Sequence, residues 1–436
     1  MEAESQIEQR TMRRARWRIV PFCMLLFVVN YLDRVNVSFA ALQMNQQIGL
    51  TPGMFGLGAG IFFAGYVLFE IPSNLILQRV GARRWIARIM LTWGLISCAM
   101  MLVRDPLSFY VLRFLLGVAE AGFFPGILLY FSYWFPGRHY ARTVAGFMAA
   151  TAIANLVGAP VSTALLSLDG WMGVRGWQWL FLLEGLPAVL LAPVVLSVLT
   201  DTPAQARWLA DDERAWLAGT MAREAAEKRA RAVPASLVTA LRQPALYVIA
   251  ALCFFLVAAT FGLVLWLPQI VRGFGVQSIW QIALVSAVPY FLAAPAMVFW
   301  GWRSDRSGER RWHAASAMLL GATGLAVGAL NPASAPLSFA ALCVAAIGIW
   351  SSYGAFWAMP NVVLSGTAAA GGLALINSFG NLGAFVSPIV IGRAREATGD
   401  FALPLLILAG SLVIAALLCI VTGRAKATSR QVSVGA

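Results

Sequence analysis

The sequence predicts an all-α membrane protein with twelve transmembrane helices, arranged as two pseudo-symmetric bundles of six. Three observations predict this fold class: the composition, the number of long apolar runs, and a basic motif that occurs once in each half of the chain. Of the 436 residues, 60% are hydrophobic and 12% are charged, whereas an ordinary soluble domain has about 25% charged residues. A water-soluble fold could not cover so many apolar side chains, so the bilayer is the expected solvent.

Twelve apolar runs are each long enough to cross a bilayer as a helix, which takes about 20 residues. Transmembrane strands are excluded because they need only about 9–11 residues of alternating character. The predicted spans are residues 17–43, 52–77, 85–103, 108–135, 143–167, 177–199, 245–271, 280–302, 313–330, 336–360, 371–393 and 401–422.

The distribution of basic residues predicts the orientation of the chain. With the N-terminal tail placed in the cytoplasm, the cytoplasmic segments hold 25 Lys and Arg residues and the opposite segments hold 5. Positively charged loops stay on the cytoplasmic side. We therefore predict a multi-pass protein of the bacterial inner (plasma) membrane with both termini in the cytoplasm. The same clusters account for the net charge of +13 without nucleic acid as a partner.

The longest loop divides the chain into halves. We predict an N-terminal tail at 1–16, a six-helix bundle at 17–200, a cytoplasmic linker at 201–243, a second six-helix bundle at 244–423 and a cytoplasmic tail at 424–436. The linker contains DDERAWLAGTMAREAAEKRARA, whose helix-forming residues predict a helix on the cytoplasmic surface.

A basic motif follows the second and the eighth predicted spans. The first copy reads NLILQRVGARRW from residue 74, and the second reads GWRSDRSGERRW from residue 301. Both fit the pattern G/N-x-x-x-D/Q-R-x-G-x-R-R at equivalent places in the two halves. Two matching six-helix halves indicate an internal duplication with a central site between them.

The second copy resembles the signature of the major facilitator superfamily throughout, and the first departs from it at Asn74 and Gln78. The strings NYLDRVNVSFA, GYVLFEIPSNL, RFLLGVAEAGFFPG, WQWLFLLEGLPA and TPAQARWLADDERAWL are similar to the anion:cation symporter family within that superfamily. Its members include permeases for tartrate, sugar acids, phthalate and aromatic acids. The resemblance implies the major facilitator fold and transport by alternating access. It also implies a cytoplasmic gate formed by Arg79, Gly81, Arg83, Arg84, Gly301, Asp305, Arg306, Gly308, Arg310 and Arg311.

Ionisable side chains inside the predicted spans are candidates for function, because a charge near the bilayer centre is costly and usually faces a cavity or a partner. All the candidates lie in the first half of the chain: Asp33, Arg34, Glu70, Arg113, Glu120 and Glu184. Arg113 and Glu120 are seven residues apart, which is about two helical turns, so they share one face. The resemblance places the first and fourth helices at the central cavity and thus brings two acids and two arginines to one site.

The resemblance also implies a role for each of these four residues. In the similar sugar-acid transporters, the acids that match Asp33 and Glu120 carry protons, and the arginines that match Arg34 and Arg113 govern anion recognition. An arginine fork binds carboxylate oxygens in a bidentate manner. We therefore predict proton coupling by Asp33 and Glu120 and substrate binding by Arg34 and Arg113. Internal salt bridges that only fix helix packing are the alternative, and a structural role is preferred for Glu70 and Glu184.

Polar residues on other spans are weaker candidates for substrate contacts, and each could instead be a packing residue. They are Tyr31, Tyr66, Gln269, Ser351, Tyr353, Asn377 and Asn381. No metal site or catalytic residue is predicted, because the two histidines lie in or beside basic loops and the five cysteines are isolated from one another. A membrane enzyme is therefore excluded, since it needs a nucleophile–base or metal constellation.

The predicted function is proton-coupled symport, in the uptake direction, of a small organic carboxylate anion. The proton gradient is the driving force, no cofactor is expected, and the protein is expected to be a monomer whose partners are the substrate, protons and lipid. Proton-coupled efflux of an acidic metabolite or drug is the alternative. A transporter-like sensor would need a signalling domain, which the sequence does not contain. The particular carboxylate, the stoichiometry and the choice between protons and sodium stay open.

Overall fold

The computed structural model describes residues 2–230, 244–360 and 368–422, and all secondary structure within them is helical. Parts of the predicted linker and the predicted tail at 424–436 lie outside the described residues. The α-helices are α1 (Glu2–Gln47), α2 (Pro52–Val80), α3 (Ala82–Ala99), α4 (Pro106–Glu120), α5 (Phe123–Trp134), α6 (Gly137–Leu166), α7 (Gly176–Val198), α8 (Asp211–Ala230), α9 (Pro244–Gly273), α10 (Ile279–Ser307), α11 (Arg311–Leu330), α12 (Ala335–Ala358), α13 (Ala368–Thr398) and α14 (Ala402–Thr422).

The helices confirm the predicted all-α membrane fold, because described helices lie along all of the predicted spans. Within the described residues, eleven helical segments are long and apolar enough to cross a bilayer, with α4 and α5 counted together. The fifth predicted span lies in α6, which contains the apolar stretch Val157–Leu166. The helix predicted in the linker is α8, which has three acidic residues in its first turn.

The fourth predicted span is not one continuous helix. It is interrupted after Glu120, where Gly122 adopts the left-handed conformation with φ of 83°. Glycine is required here for two reasons: a side chain disfavours this conformation, and a Cβ atom at this position would overlap the side chain of Ser73 on α2. The interruption makes Glu120 the last residue of α4.

The chain packs into two compact units. The first consists of Met1–Asn36, Gly65–Arg104 and Val111–Ala232, and the second of Val37–Ala64, Asp105–Tyr110 and Val233–Ala436. In the first unit α7 packs against α3 and α6. In the second unit α9 packs against α13 and α14, and α11 packs against α12 and α14. The division into bundles at 17–200 and 244–423 stays a prediction.

Ion pairs join the start of α1 to α8 and α6 within the first unit. The carboxylate of Glu213 on α8 is fully buried, accepts a hydrogen bond of 2.8 Å from Nη1 of Arg14, and forms an ion pair with Arg10. Glu8 pairs with Arg138 and lies 2.7 Å from Nε2 of His139 at the start of α6. The ion pairs thus join the first turns of α1 to the linker helix α8.

In the second unit, the first half of α2 packs closely on α13. Cβ atoms added to Gly56 or Gly60 would overlap the backbone carbonyl oxygens of Pro388 or Phe385, and one added to Gly392 would overlap that of Pro52. Small residues let membrane helices approach backbone to backbone, where van der Waals contact replaces the hydrophobic effect. The Glu396 carboxylate also accepts a bond of 3.2 Å from the backbone N–H of Gly53. Glycine is therefore required along this contact.

We expect Gly56→Ala to destabilise the protein by about 1–3 kcal/mol, the usual cost of overpacking, because the new methyl group must push α2 away from the α13 backbone. Thermal unfolding of the purified protein in detergent measures the change. Gly410→Ala on α14 is the matched control, since a Cβ atom there meets nothing within 4 Å and should be neutral or slightly stabilising. Equal melting temperatures for the two variants would contradict the close α2–α13 contact.

Candidate functional site

The centre of the first unit contains a buried ion pair between α1 and α4. Nε of Arg34 donates to Oε1 of Glu120 at 3.0 Å, and Nη2 of Arg34 contacts the same oxygen. The Glu120 side chain is fully buried, and that of Arg34 is 17% exposed. A pair this far from water is held by strong electrostatic attraction, because little solvent screens it.

Two further predicted residues adjoin this ion pair. Arg113 is fully buried on α4, and it interacts electrostatically with Glu120, Asp33 and Arg34. Asp33 is 1% exposed on α1. The structure therefore brings together the two acids and two arginines predicted from the sequence, and their formal charges cancel when all four are ionised.

Asp33 has different hydrogen-bond partners from its neighbour Arg34, which binds Glu120. Its Oδ1 accepts from Oγ of Ser97 at 2.6 Å and from Nδ2 of Asn36 at 3.1 Å, and its Oδ2 accepts from Nε1 of Trp93. All three donors are neutral. Consecutive residues of a helix point about 100° apart, so Asp33 faces α3 while Arg34 faces α4. The sequence interpretation missed these donors, although the i, i+3 spacing of Asp33 and Asn36 was a usable signal.

Tyr66 and Glu70 on α2 lie close to the ion pair, and the ring of Tyr31 on α1 lies beside that of Phe27. The Arg34 guanidinium stands over the Tyr66 ring, 5.1 Å from its centroid, which is a cation–π distance. Glu70, one turn further along α2, is 8% exposed and interacts electrostatically with Tyr66. The Tyr31 ring lies 6.2 Å from that of Phe27. The Tyr66 ring is thus in contact with the charged cluster.

Glu184 is a third buried acid of the first unit. It lies on α7, is 4% exposed, and accepts a bond of 2.8 Å from Oγ of Ser162 on α6. It also interacts electrostatically with Asp33. The sequence interpretation treated Glu184 as structural and did not connect it with Asp33, because nothing in the sequence shows that α7 packs against α3 and α1 at this depth.

The second unit has its own polar residues. Oη of Tyr353 lies 2.9 Å from Oγ1 of Thr260, and Ser351 is 4% exposed on the same helix, α12. Gln269 on α9 is half-buried, as are Asn377 and Asn381, which are one turn apart on α13. These side chains are polar groups at membrane depth with suitable chemistry for hydroxyl or carboxylate contacts. Their part in substrate binding stays a prediction.

The first basic motif forms the turn between α2 and α3. Gly81 has φ of 97°, and a Cβ atom there would lie 2.9 Å from Oδ1 of Asp201. The same oxygen accepts a bond of 2.9 Å from the backbone N–H of Arg83. A carboxylate at this helix N-terminus is favourable. The first motif has Gln78 where the family pattern has Asp, and Asp201, which follows α7, thus provides an acidic group at this turn. The sequence interpretation did not identify Asp201.

The second basic motif forms the turn between α10 and α11. Gly308, with φ of 66°, ends α10, and Asp305 pairs with Arg310 across the turn. The Glu309 carboxylate accepts from the backbone N–H of Trp312 at 2.9 Å. Partial burial opposes ionisation of Glu309, but the bonds from Trp312 and His313 outweigh it and lower the pKa of this carboxyl below its ordinary value.

The remaining motif residues are arranged around these two turns. The guanidinium groups of Arg306 and Arg311 stand over the rings of Trp302 and Trp312, 5.6 and 5.1 Å from the ring centroids. Arg79 and Arg84 are exposed, and Gly301 lies within α10. A gating role for the two turns stays a prediction.

Known proteins resemble this chain over most of its length. The Major Facilitator Superfamily profile matches residues 23–388. A protein named "Putative tartrate transporter" from Agrobacterium vitis is 50% identical over 96% of both chains. A quinolone resistance transporter from Acinetobacter baumannii is 41% identical over 91% of both chains.

A solved structure of a bacterial homologue of the human lysosomal transporter Spinster superposes with a TM-score of 0.75 at 16% identity, covering 94% of this chain and 97% of that one. At this identity the likeness concerns the fold alone. Together with the family match and the close relatives, which are transporters and not enzymes, it confirms the membership predicted from the sequence. This chain belongs to the Major Facilitator Superfamily of membrane transporters.

Proposed function

We propose that this protein imports a small organic dicarboxylate, such as tartrate, together with protons by alternating access. The observation that carries the proposal is the buried pair of Arg34 and Glu120 with Arg113 and Asp33 beside it. Two guanidinium groups in a membrane interior suit an anionic substrate, since each can bind a carboxylate through two parallel hydrogen bonds. The 50% identity to the tartrate relative supports this substrate class.

Competition for Arg34 provides the coupling. While Glu120 is ionised, it occupies the Arg34 guanidinium and the cluster is neutral. A proton on Glu120 releases Arg34, leaves a net positive charge and so favours binding of a substrate carboxylate. On the alkaline side of the membrane Glu120 loses its proton, the internal ion pair re-forms, and the substrate is displaced. Asp33 is a second acid of the cluster, and its protonation likewise makes the net charge of the cluster more positive and favours binding of the anion.

Export of an acidic compound is a second candidate function. It is favoured by the 41% identity to the quinolone resistance transporter. The same cluster could exchange protons for an anion in the opposite direction, because the competition at Arg34 has no inherent direction. The sign of the proton gradient that drives accumulation separates the two candidates.

We expect proteoliposomes with an inward proton gradient to accumulate labelled tartrate, and an uncoupler to abolish this accumulation. Asp33→Asn and Glu120→Gln should each abolish gradient-driven accumulation while retaining substrate exchange at equal pH on both sides, because their side chains no longer bind and release a proton. A sugar acid and an aromatic acid complete the substrate panel. Accumulation that survives both substitutions would remove these acids from coupling, and accumulation only under an outward gradient would favour export.

We also expect Arg34→Lys and Arg113→Lys to weaken substrate binding by roughly 10–100-fold. Lysine keeps the charge but loses the bidentate fork, and a hydrogen bond to a charged group contributes about 1.5–3 kcal/mol. Calorimetric titration of the purified variants with the transported acid measures the loss. Arg88→Lys is the matched control, since Arg88 stacks on Trp85 at 3.9 Å in the same unit and should bind substrate as wild type does. Wild-type affinity in Arg113→Lys would contradict its assignment.

A further inference from the structure

We infer that Glu184 forms a proton-binding pair with Asp33, in which the two buried carboxyl groups hold one proton between them. The role of this pair in transport rests on the proposed proton-coupled function, whereas the binding of a proton by the pair does not depend on that function. The pair adds a residue of α7 to the charged cluster of α1 and α4.

The surroundings of Glu184 suit a protonated carboxyl group. Its Oε1 contacts the hydroxyl of Ser162 at 2.8 Å, and a hydroxyl can either donate or accept. Its Oε2 is buried and has no hydrogen-bond partner among the described residues. A buried ionised oxygen without a donor is costly. Protonation removes that charge and leaves the contact with Ser162 intact.

The surroundings of Asp33 suit an ionised carboxylate instead. Two of its three donors, the Trp93 indole and the Asn36 amide nitrogen, can donate but cannot accept. Both oxygens of Asp33 are engaged by these groups and by Ser97. Within one buried region, therefore, Asp33 has donors for both of its oxygens, whereas Glu184 has the Ser162 hydroxyl on one oxygen and only the Asn36 side chain as a further polar neighbour.

Asn36 links the two acids. It lies one turn after Asp33 on α1 and donates to Oδ1 of that residue at 3.1 Å. The same side chain interacts with the Glu184 carboxyl, and the two acids interact electrostatically. Two like charges in a water-poor interior cannot both form cheaply, so their protonation is coupled.

The charges around the pair lead to the same conclusion. The titratable groups that face Asp33 are Glu120 and Arg113 on α4, Cys98 on α3, and Glu184. With Arg34, and with Glu70 beside Tyr66, the buried groups are four acids and two arginines. Two arginines cannot compensate four ionised acids, so full ionisation is unfavourable and protons are retained. Because Glu120 is held by Arg34 and Asp33 by three donors, Glu184 carries one of these protons in this conformation.

Infrared spectroscopy of the purified full-length protein tests the pair without any substrate. We expect a protonated-carboxyl band at neutral pH that Glu184→Gln removes. Asp33→Asn should weaken the same band, because Glu184 then ionises without a like charge beside it. Glu224→Gln is the control, since Glu224 binds the backbone N–H of Gly137 at the start of α6 and should not contribute to the band. A band that persists in Glu184→Gln would overturn the inference.

Transport by the same variants supplies an independent readout. Glu184→Gln should keep substrate exchange, lose at least tenfold in gradient-driven accumulation, and change the pH profile of exchange, whereas Glu184→Asp should restore part of the accumulation. Unchanged accumulation and pH profile in Glu184→Gln would overturn the role in coupling. If wild type accumulates no acid under either gradient, the proposed function fails, and the infrared result still decides the proton-binding pair. If Glu184→Gln does not fold, Ser162→Ala replaces it in the infrared experiment. This variant keeps the Glu184 carboxyl group but removes its contact with the Ser162 hydroxyl, and it should shift the protonated-carboxyl band.

Discussion

The buried ion pair between Arg34 and Glu120 is the interaction on which the candidate site depends. Removing one partner of such a pair costs about 3–5 kcal/mol, because the other charge is left without compensation in a medium that cannot solvate it. Neither residue can therefore change its charge or its partner alone. When Glu120 binds a proton, Arg34 needs another anion to compensate its charge. This requirement is the physical basis of the coupling that we propose.

Helix geometry determines which charges meet. Asp33 and Arg34 are adjacent in sequence but point about 100° apart, so that one reaches the donors of α3 and the other reaches α4. The turn at Gly122 ends α4 at Glu120, and the close approach to Ser73 permits no side chain at that turn. The cluster thus depends on backbone features that carry no charge themselves.

Glycine has a second function in this protein, in the contact between α2 and α13. Membrane helices gain little from the hydrophobic effect against one another, so their contacts depend on close packing. The glycines of this contact let the two backbones meet at a distance that a single methyl group would prevent. At the start of α1, the ion pairs of Glu213 with Arg10 and Arg14 also join two helices.

The sequence by itself determined the fold class, because the length and apolarity of each run depend only on composition and on the thickness of a bilayer. It also marked Arg34, Arg113, Asp33 and Glu120 as candidates, since burying charge is rare, and the resemblance to the superfamily grouped the four at one site. Only the tertiary structure decided how the acids are partnered. The neutral donors of Asp33 come from two helices, Asp201 reaches the first basic motif from the end of α7, and Glu184 approaches Asp33 from α7. Such relations join residues that are distant along the chain, and a single sequence contains no signal for which faces of the helices pack together.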